Sequence, residues 1–184
     1  NFFGGTVADV RIYDRKLTAT EAQTLYTGGE VASPLVYWPL SSGLSDISGS
    51  DRPLTVNGAT LIGEAASFDG TDDTIDCGNN ALVDNETNFT VEAWIRTSYD
   101  APFPGELGIV RQGATSATGW TNAGWSLRLR DDKPTFAVRK KDDSGYWDLY
   151  TGNTIIDGEW HHIVGTFDTT IMRKYVDGTQ TQST

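Results

Sequence analysis

Apolar and polar residues alternate along most of this chain, in short segments that predict β-strands. From Val7 to Tyr13 the alternation is nearly regular, as on a strand with one buried face. From Leu35 onward similar segments recur, among them LVYWPL, FTVEAWIR, WSLRLR, PTFAVRKK and WHHIVGTF. Turn sequences such as VNG, DGTDD, DDKP and VDGT separate them. Many short strands joined by Gly and Asp turns predict an all-β fold built as a two-sheet antiparallel sandwich.

One segment near the start of the chain predicts a helix. Thr18 precedes Glu21 by three positions, which is the spacing of a capping box. Ala22 and Leu25 follow on one helical face, and the two glycines at positions 28 and 29 end the helix.

Composition narrows the classes of partner. The 184 residues suffice for one well-buried domain. Fourteen Lys and Arg stand against 25 Asp and Glu, and a net charge of -11 argues against a nucleic-acid partner. No apolar run approaches 18 residues, so the sequence predicts no membrane insertion. Cys77 is the single cysteine, which excludes an internal disulfide.

The set of segments resembles the laminin-G-like, concanavalin-A-like jelly-roll modules of secreted proteins. The segments that carry the resemblance are LVYWPL, SDISGS, ASFDGTDDTIDCG, NFTVEAWIRT, GEWHHIVGTFD and KYVDG. Such modules close with a strand and helix like FFGGTVADVRIYDRKLTATEAQTLY. The resemblance implies a jelly-roll sandwich, an extracellular or cell-surface location, and work in binding or adhesion.

The order of the segments departs from the family, because the closing strand and helix stand first. We therefore predict a closing piece at residues 1–30, a linker at 31–34, and a module at 35–184 that lacks its final strands. Residues 1–30 could finish a preceding module of a tandem array, complete the same sandwich, or insert into a neighbouring copy as in a filament. A module without its last strands would leave open sheet edges.

Catalysis is not predicted. The glucanase relatives place their carboxylates on one strand as Glu-x-Asp-x-x-Glu, whereas here Glu92 stands alone in VEAWIR and Asp157 and Glu159 lie at a turn. His161 and His162 are adjacent, so on a strand their side chains point to opposite faces. We expect one imidazole to be buried and the other to meet solvent.

Calcium is the cofactor that the resemblance implies. Asp9 matches an aspartate that heads the final strand in the glucanase relatives, and the other candidates are Asp46, Asp69, Asp72 and Asp73. Calcium takes six to eight oxygen ligands, which carboxylates in Gly-containing turns can supply. The alternative is that each aspartate only bonds the backbone of its own turn.

A glycan-binding face is the second candidate site. If three of the predicted strands neighbour one another in one sheet, an aromatic ring and five cations share its solvent face. These residues are Trp94, Arg96, Arg128, Arg130, Arg139 and Lys141. Such a face could stack a sugar ring and pair with sulfate or carboxylate groups. Trp120, Tyr146 and Trp147 are predicted to lie in loops that could rim it. The alternative is an ordinary solvated face whose cations are neutralised by nearby aspartates. The remaining large aromatic residues are predicted to form the core: Trp38, Trp160, Phe68, Phe89 and Phe167.

The sequence thus predicts a non-enzymatic binding module for a glycan or an extracellular protein, with calcium support. One alternative is a structural repeat or filament subunit whose main partners are neighbouring copies of itself. A further alternative is an accessory domain of a glycoside hydrolase, which a catalytic domain in the flanking sequence would favour.

Overall fold

A computed structural model describes residues 2–41, 43–78, 83, 88–100, 105–113, 115–116, 119–120, 124–139 and 146–184. Within these residues the chain is an antiparallel β-sandwich with one short helix, which confirms the predicted all-β fold class. No helix in this part of the chain is long and apolar enough to cross a membrane.

The larger sheet has eight antiparallel strands. In spatial order they are β16 (Thr179–Ser183), β15 (Met172–Val176), β14 (Trp160–Phe167), β7 (Phe89–Arg96), β1 (Gly4–Tyr13), β5 (Ala65–Asp69) and β4 (Thr60–Ile62), with β2 (Val36–Trp38) also paired to β1.

The smaller sheet has four strands, and two short ribbons accompany the sheets. The sheet contains β13 (Tyr146–Leu149), β12 (Lys133–Arg139), β11 (Gly124–Arg130) and β8 (Glu106–Gln112); the ribbons pair β3 (Thr55–Asn57) with β6 (Thr74–Asp76) and β9 (Thr115–Ser116) with β10 (Gly119–Trp120). Asp131 and Asp132, with φ of 48° and 64°, form the tight turn between β11 and β12. Aspartate tolerates this left-handed conformation, and two successive such residues suit a two-residue hairpin.

The predicted helix is α1 (Ala19–Tyr26), and it lies on the outer face of the larger sheet. Its capping box is present, because the Glu21 amide donates to Thr18 Oγ1 at 3.2 Å and the Thr18 amide donates to Glu21 Oε2 at 2.8 Å. Ala22 packs on Val164 of β14 and Tyr175 of β15. The helix therefore shields part of this outer face from solvent.

The core fills the space between the two sheets. Phe89 lies at its centre, with its ring centroid 5.8 Å from Trp125, 6.0 Å from Phe136 and 5.7 Å from Phe167. Gly165 of β14 has no side chain, and this leaves room for the Phe136 ring. A Cβ at this position would lie 2.3 Å from that ring.

Most of the predicted core residues are buried, and three aromatic positions need correction. Trp38, Phe89 and Phe167 are at most 2% exposed. Trp160 is only partly buried, because it lies on the outer face of the larger sheet beneath Arg96, and Phe68 packs partly buried against Phe3. Trp147 lies on β13 instead of in a loop, with its ring 6.1 Å from that of Phe167.

The first strand of the chain lies inside the larger sheet. β1 pairs with β7 on one side and with β5 and β2 on the other. Its register shifts between Ala8 and Arg11, where Asp9 has a φ of 49°. Within this chain, the strand of residues 1–30 thus joins the sheet formed by residues after 35. The array and filament arrangements involve other copies and stay predictions.

Candidate functional site

The predicted glycan face is divided between the two sheets. Trp94 and Arg96 lie on β7 of the larger sheet, whereas Arg128, Arg130 and Arg139 lie on β11 and β12 of the smaller one. Two of the three strands, β11 and β12, are neighbours, but β7 lies in the other sheet, so the condition for a face shared by all three is not met. Alternation correctly assigns inward and outward positions on each strand, but it carries no information about which strands pair. Lys141 lies outside the described residues, as do the side chains of Trp120 and Tyr146. The backbones of these two aromatic residues belong to β10 and β13, so the prediction that they lie in loops is wrong.

Trp94 is covered by the helix. Its ring stacks on Tyr26 of α1, with centroids 5.8 Å apart, and on His162 of β14 at 5.0 Å. A sugar ring cannot take the same place while Tyr26 is stacked there. Arg96 is exposed, with its guanidinium carbon 5.1 Å from the centre of the Trp160 ring.

A buried charged group lies on the outer face of the larger sheet, which also carries α1. Glu92 accepts hydrogen bonds from Arg11 Nη1 at 2.6 Å and from His162 Nε2. We call Arg11, Glu92 and His162 the Glu92 cluster. Burial acts to lower the pKa of Arg11, but the Glu92 carboxylate outweighs this effect and raises the pKa above its ordinary value. Arg11 therefore stays charged and balances Glu92 in the interior.

This cluster explains why Glu92 and the histidines do not form an open reactive site. The side chains of Glu92 and His162 are fully buried, while that of His161 keeps 16% exposure, so one imidazole is buried and the other reaches solvent as expected. The sequence places Arg11 on the polar face of its strand, but nothing in it identifies Glu92, 81 residues away, as the partner.

Charged residues converge on the outer side of the smaller sheet. Arg128 Nη2 lies 3.1 Å from Asp148 Oδ2 and 3.4 Å from Glu106 Oε1. Arg130 Nη1 lies 2.7 Å from the same Asp148 oxygen. One carboxylate on β13 thus orients two guanidinium groups on β11.

Tyr150 completes this surface next to Arg130. The ring is 37% exposed, with the Arg130 guanidinium carbon 4.6 Å and Lys133 Nζ 5.8 Å from its centre. The side chains of Arg130 and Glu106 keep 39% and 50% of their exposure. We call the side chains on this outer side the small-sheet face: Glu106, Arg128, Arg130, Lys133, Arg139, Asp148 and Tyr150. Two of them, Arg128 and Asp148, lie beneath its surface, with side chains 3% and 11% exposed. Sequence reasoning found its arginines and missed Glu106, Lys133, Asp148 and Tyr150.

Three of the five calcium candidates come together at one turn. Asp69 and Asp72 have carboxylate oxygens within 4.8 Å of each other and of an oxygen of Asp73. Among the residues that the structure describes, no other group of three acidic, histidine or cysteine side chains meets this spacing. Part of the donor set is already used, because Asp69 Oδ1 accepts from the Thr71 amide at 2.7 Å and Asp73 Oδ2 from the Asp69 amide at 2.8 Å.

Asp46 and Asp9 serve local hydrogen bonds instead. Asp46 accepts from the amides of Tyr37, Ser48 and Arg52. Partial burial acts to raise the pKa of Asp46, but these hydrogen bonds outweigh it and lower the pKa. Asp9 Oδ1 accepts from the Tyr37 hydroxyl at 2.6 Å and lies 3.9 Å from Arg11 Nη2, a cation that disfavours calcium there.

Comparison with known proteins agrees with this architecture. The sequence model described as "Concanavalin A-like lectin/glucanases superfamily" matches residues 69–184. No curated protein sequence matches the chain.

Several solved structures are similar to this chain. The receptor-binding domain of botulinum neurotoxin D is 22% identical, with a TM-score of 0.60 over 77% of this chain and 37% of that one. The botulinum neurotoxin serotype D ligand-binding domain in complex with N-acetylneuraminic acid is 19% identical, with a TM-score of 0.52 over 77% and 36%. Domains LG4-5 of the mouse laminin alpha1 chain are 18% identical over 54% and 24%, with a TM-score of 0.42.

At such identities the two neurotoxin structures show a shared fold alone, and the chain spans 37% of the length of the first of them. The sequence match is the stronger finding, because it covers well over half of the chain. The chain belongs to the concanavalin A-like lectin/glucanases superfamily.

Proposed function

We propose that the chain is a non-catalytic binding module whose small-sheet face binds an acidic glycan. The observation that carries the proposal is the arrangement in which Asp148 orients Arg128 and Arg130 beside an exposed Tyr150. We infer an extracellular or cell-surface setting, since such glycans are displayed there.

Arg130 and Tyr150 supply the two contacts that a charged sugar needs. Asp148 holds the Arg130 guanidinium at 2.7 Å, so a ligand does not have to order this long side chain. A guanidinium bonds carboxylate or sulfate through a planar fork of N–H donors. The Arg130 side chain is 39% exposed, so its guanidinium is accessible to a ligand. The exposed Tyr150 ring offers an apolar surface for a sugar ring, and Glu106 can accept hydrogen bonds from sugar hydroxyls.

The charge of this face also suits an acidic ligand. Among the residues that the structure describes, its four cations are matched by Glu106, Asp148 and the two aspartates of the β11–β12 turn, in a chain whose net charge is -11. An acidic glycan is therefore repelled less here than at the rest of the surface. The neurotoxin domain crystallised with N-acetylneuraminic acid is an example of an acidic sugar bound by a protein with this fold.

The test is titration calorimetry with sialylated, sulfated and neutral oligosaccharides, chosen from hits on a glycan array. We expect Arg130→Gln and Tyr150→Ala each to weaken binding of the acidic glycan about tenfold or more, which corresponds to about 1.4 kcal/mol. Arg96→Gln is the matched control, because Arg96 is also an exposed arginine beside an aromatic ring but lies on the other sheet.

Two results would count against this site. If Arg96→Gln abolishes binding while Arg130→Gln does not, the ligand binds on the larger sheet. If the chain binds none of the array glycans, the small-sheet face has another role.

We also propose that Asp69, Asp72 and Asp73 hold a calcium ion. Their three carboxylates are close enough for one cation, and the oxygens that accept no backbone amide can turn toward it, with backbone carbonyls and water as further ligands. When bound, the ion would stabilise the turn after β5 by neutralising three like charges.

Calorimetric titration with calcium, after treatment with a chelator, tests this second proposal. We expect one site, which Asp72→Asn weakens about tenfold or more, while Asp51→Asn leaves it unchanged because Asp51 is an exposed turn aspartate outside the group. A chain that takes up no calcium at millimolar concentration, or whose uptake ignores Asp72→Asn, would refute it.

A further inference from the structure

We infer that β1 and α1 form an exchangeable arm, and that the position of β1 in the larger sheet also accepts β1 from a second copy of this chain. In the exchanged dimer each copy supplies Arg11 to the Glu92 cluster of the other. The site therefore requires a strand that carries a cation at the position of Arg11, and the partner that supplies it is a second copy of this chain.

The arm is continuous in sequence and is linked to the rest of the chain by a short hinge. β1 and α1 cover residues 4–26, and the hinge runs through residues 27–34 to β2. At full extension a hinge of this length spans about 27 Å, enough to reach a neighbouring copy in contact. Val31 is the buried residue of the hinge, packed with Leu17 and Leu25 of the arm.

The hinge is bent in the closed chain. Gly28 has a φ of 80° and the non-glycine Ser33 a φ of 62°, and the Leu35 amide returns to bond the Ile12 carbonyl at 2.7 Å. A short hinge held in such a conformation favours exchange between copies, because extension releases the strained backbone.

The position between β7 and β5 is selective for β1. Val7, Val10 and Ile12 enter the core on one face of the strand, while Arg11 meets Glu92 on the other. The Glu92 carboxylate is fully buried on β7, so an occupant without a cation would leave it without its charge partner. A second copy of the chain has the same sequence, so its β1 supplies both the inward apolar side chains and the cation.

The closed and exchanged forms share every contact except those of the hinge. In the closed form the hinge keeps the chain's own arm at a high effective concentration, so exchange requires that the arm leave its site. Folding at high protein concentration is the condition under which arms of different copies compete. The exchanged dimer should therefore accumulate when the unfolded chain is refolded at high concentration.

Charge reversal in two copies provides the test. One copy carries Arg11→Glu and the other carries Glu92→Arg, so each alone buries two like charges. Exchange between them restores an opposite pair at both sites, whereas no other mode of association does. We expect the two variants refolded together to give a mixed dimer by native mass spectrometry, with a thermal midpoint above that of either variant alone.

The chain carrying both reversals is the matched control, because it shows whether the reversed pair is accepted within one copy. If it folds and the mixture gives no mixed dimer and no rise in midpoint, the inference is wrong.

If the double variant does not fold, shortening the hinge of the wild-type chain provides the test. Removal of residues 32–34 shortens the return path to β2 and should convert the refolded wild-type chain from mostly monomer to mostly dimer. A dimer fraction unchanged by this deletion would indicate ordinary surface association or none, and would overturn the inference.

Discussion

Lys174 is a buried cation that joins the two sheets. It points inward from β15, and its Nζ donates to the carbonyls of Pro134 at 2.6 Å, Thr151 at 2.6 Å and Leu149 at 3.2 Å. Burial lowers the pKa of Lys174 from its ordinary 10.5 to about 8, although Asp148 acts to raise it. The ammonium group thus connects a strand of the larger sheet to the β12 and β13 region of the smaller one.

We expect Lys174→Met to lower the free energy of unfolding by about 2–4 kcal/mol, because three buried carbonyls lose their donor. Arg173→Met is the control on the opposite face of the same strand. The Arg173 pair with Asp168 is partly exposed, so its loss should be worth less than about 1 kcal/mol. Urea unfolding measures both changes, and equal effects would contradict the role assigned to Lys174.

The pH dependence of Lys174 has a definite sign. Its folded pKa of about 8 lies below the ordinary 10.5, so between these values the unfolded chain binds more protons. The free energy of unfolding of the wild type, relative to Lys174→Met, should therefore rise from pH 8 to pH 10.5. Unfolding at pH 8, 9 and 10 checks this expectation, and a falling difference would contradict it.

His161 should give a pH dependence of the opposite sense. Partial burial acts to lower its pKa, but hydrogen bonds to Asp177 at 2.8 Å and Asp157 at 3.2 Å outweigh this and raise the pKa above 6.5. The resulting stabilisation is fully present below pH 6.5 and is lost as pH rises through the folded pKa. Wild type should exceed His161→Gln by about 1 kcal/mol or less at pH 5, with the difference shrinking above pH 7.

Urea unfolding of both proteins from pH 5 to pH 8 makes this comparison. Asp157→Asn should reduce the same pH-dependent difference, since Asp157 bonds the His161 ring. Parallel pH profiles for wild type and His161→Gln would show that the ion pairs do not form in solution.

At the scale of elements, close contact between the sheets depends on Gly165. The Phe136 ring occupies the space where a Cβ would lie, 2.3 Å from the nearest ring atom. We expect Gly165→Ala to lower the free energy of unfolding by about 1–3 kcal/mol, because the added methyl separates the sheets or forces the ring aside. Gly108→Ala on β8 is the control, since its nearest neighbour is the flexible Arg111 side chain at 4.0 Å. Thermal or urea unfolding compares the two, and a tolerated Gly165→Ala would mean that the sheets are less tightly packed.

The elements that local chemistry specifies could be predicted from the sequence. The capping box of Thr18 and Glu21 gave the helix, and the inward positions of β11, Trp125, Leu127 and Leu129, are all at most 1% exposed. Sheet membership could not be predicted, because β7 and β11 show the same alternation and pairing depends on distant residues. For the same reason the small-sheet face could not be predicted in full. Asp148 contacts Arg128 only because β13 pairs with β12, and the sequence does not show this pairing.

At the scale of the whole molecule, the acidic surface should govern the response to salt. A net charge of -11 opposes the compact state, and added salt screens this repulsion. Raising sodium chloride from about 20 to 200 mM should stabilise the chelator-treated chain by about 1 kcal/mol, or about 2–4 °C in thermal midpoint. Binding of an acidic glycan to the small-sheet face should weaken over the same range.

Scanning calorimetry measures the change in thermal midpoint, and titration calorimetry measures the change in glycan affinity, over the same series of salt concentrations. A variant with Asp14→Asn, Glu30→Gln and Glu64→Gln removes three exposed negative charges and should respond less to salt in its stability. If its midpoint shifts as much as that of the wild type, general repulsion is not the cause.

The central position of β1 also determines when the sandwich can close. Arg11 and Glu92 are 81 residues apart, and Gly4 and Thr97, which also bond, are 93 apart. A strand at the start of the described chain must therefore wait, during synthesis or refolding, until partners far along the chain have been formed and ordered. Contacts of such long range slow folding, because the entropy of closing a long loop is lost before the contacts form. Until then the inner edge of β7 stays unpaired, so the rate at which β1 docks sets the time for which this chain is most exposed to aggregation and to proteases.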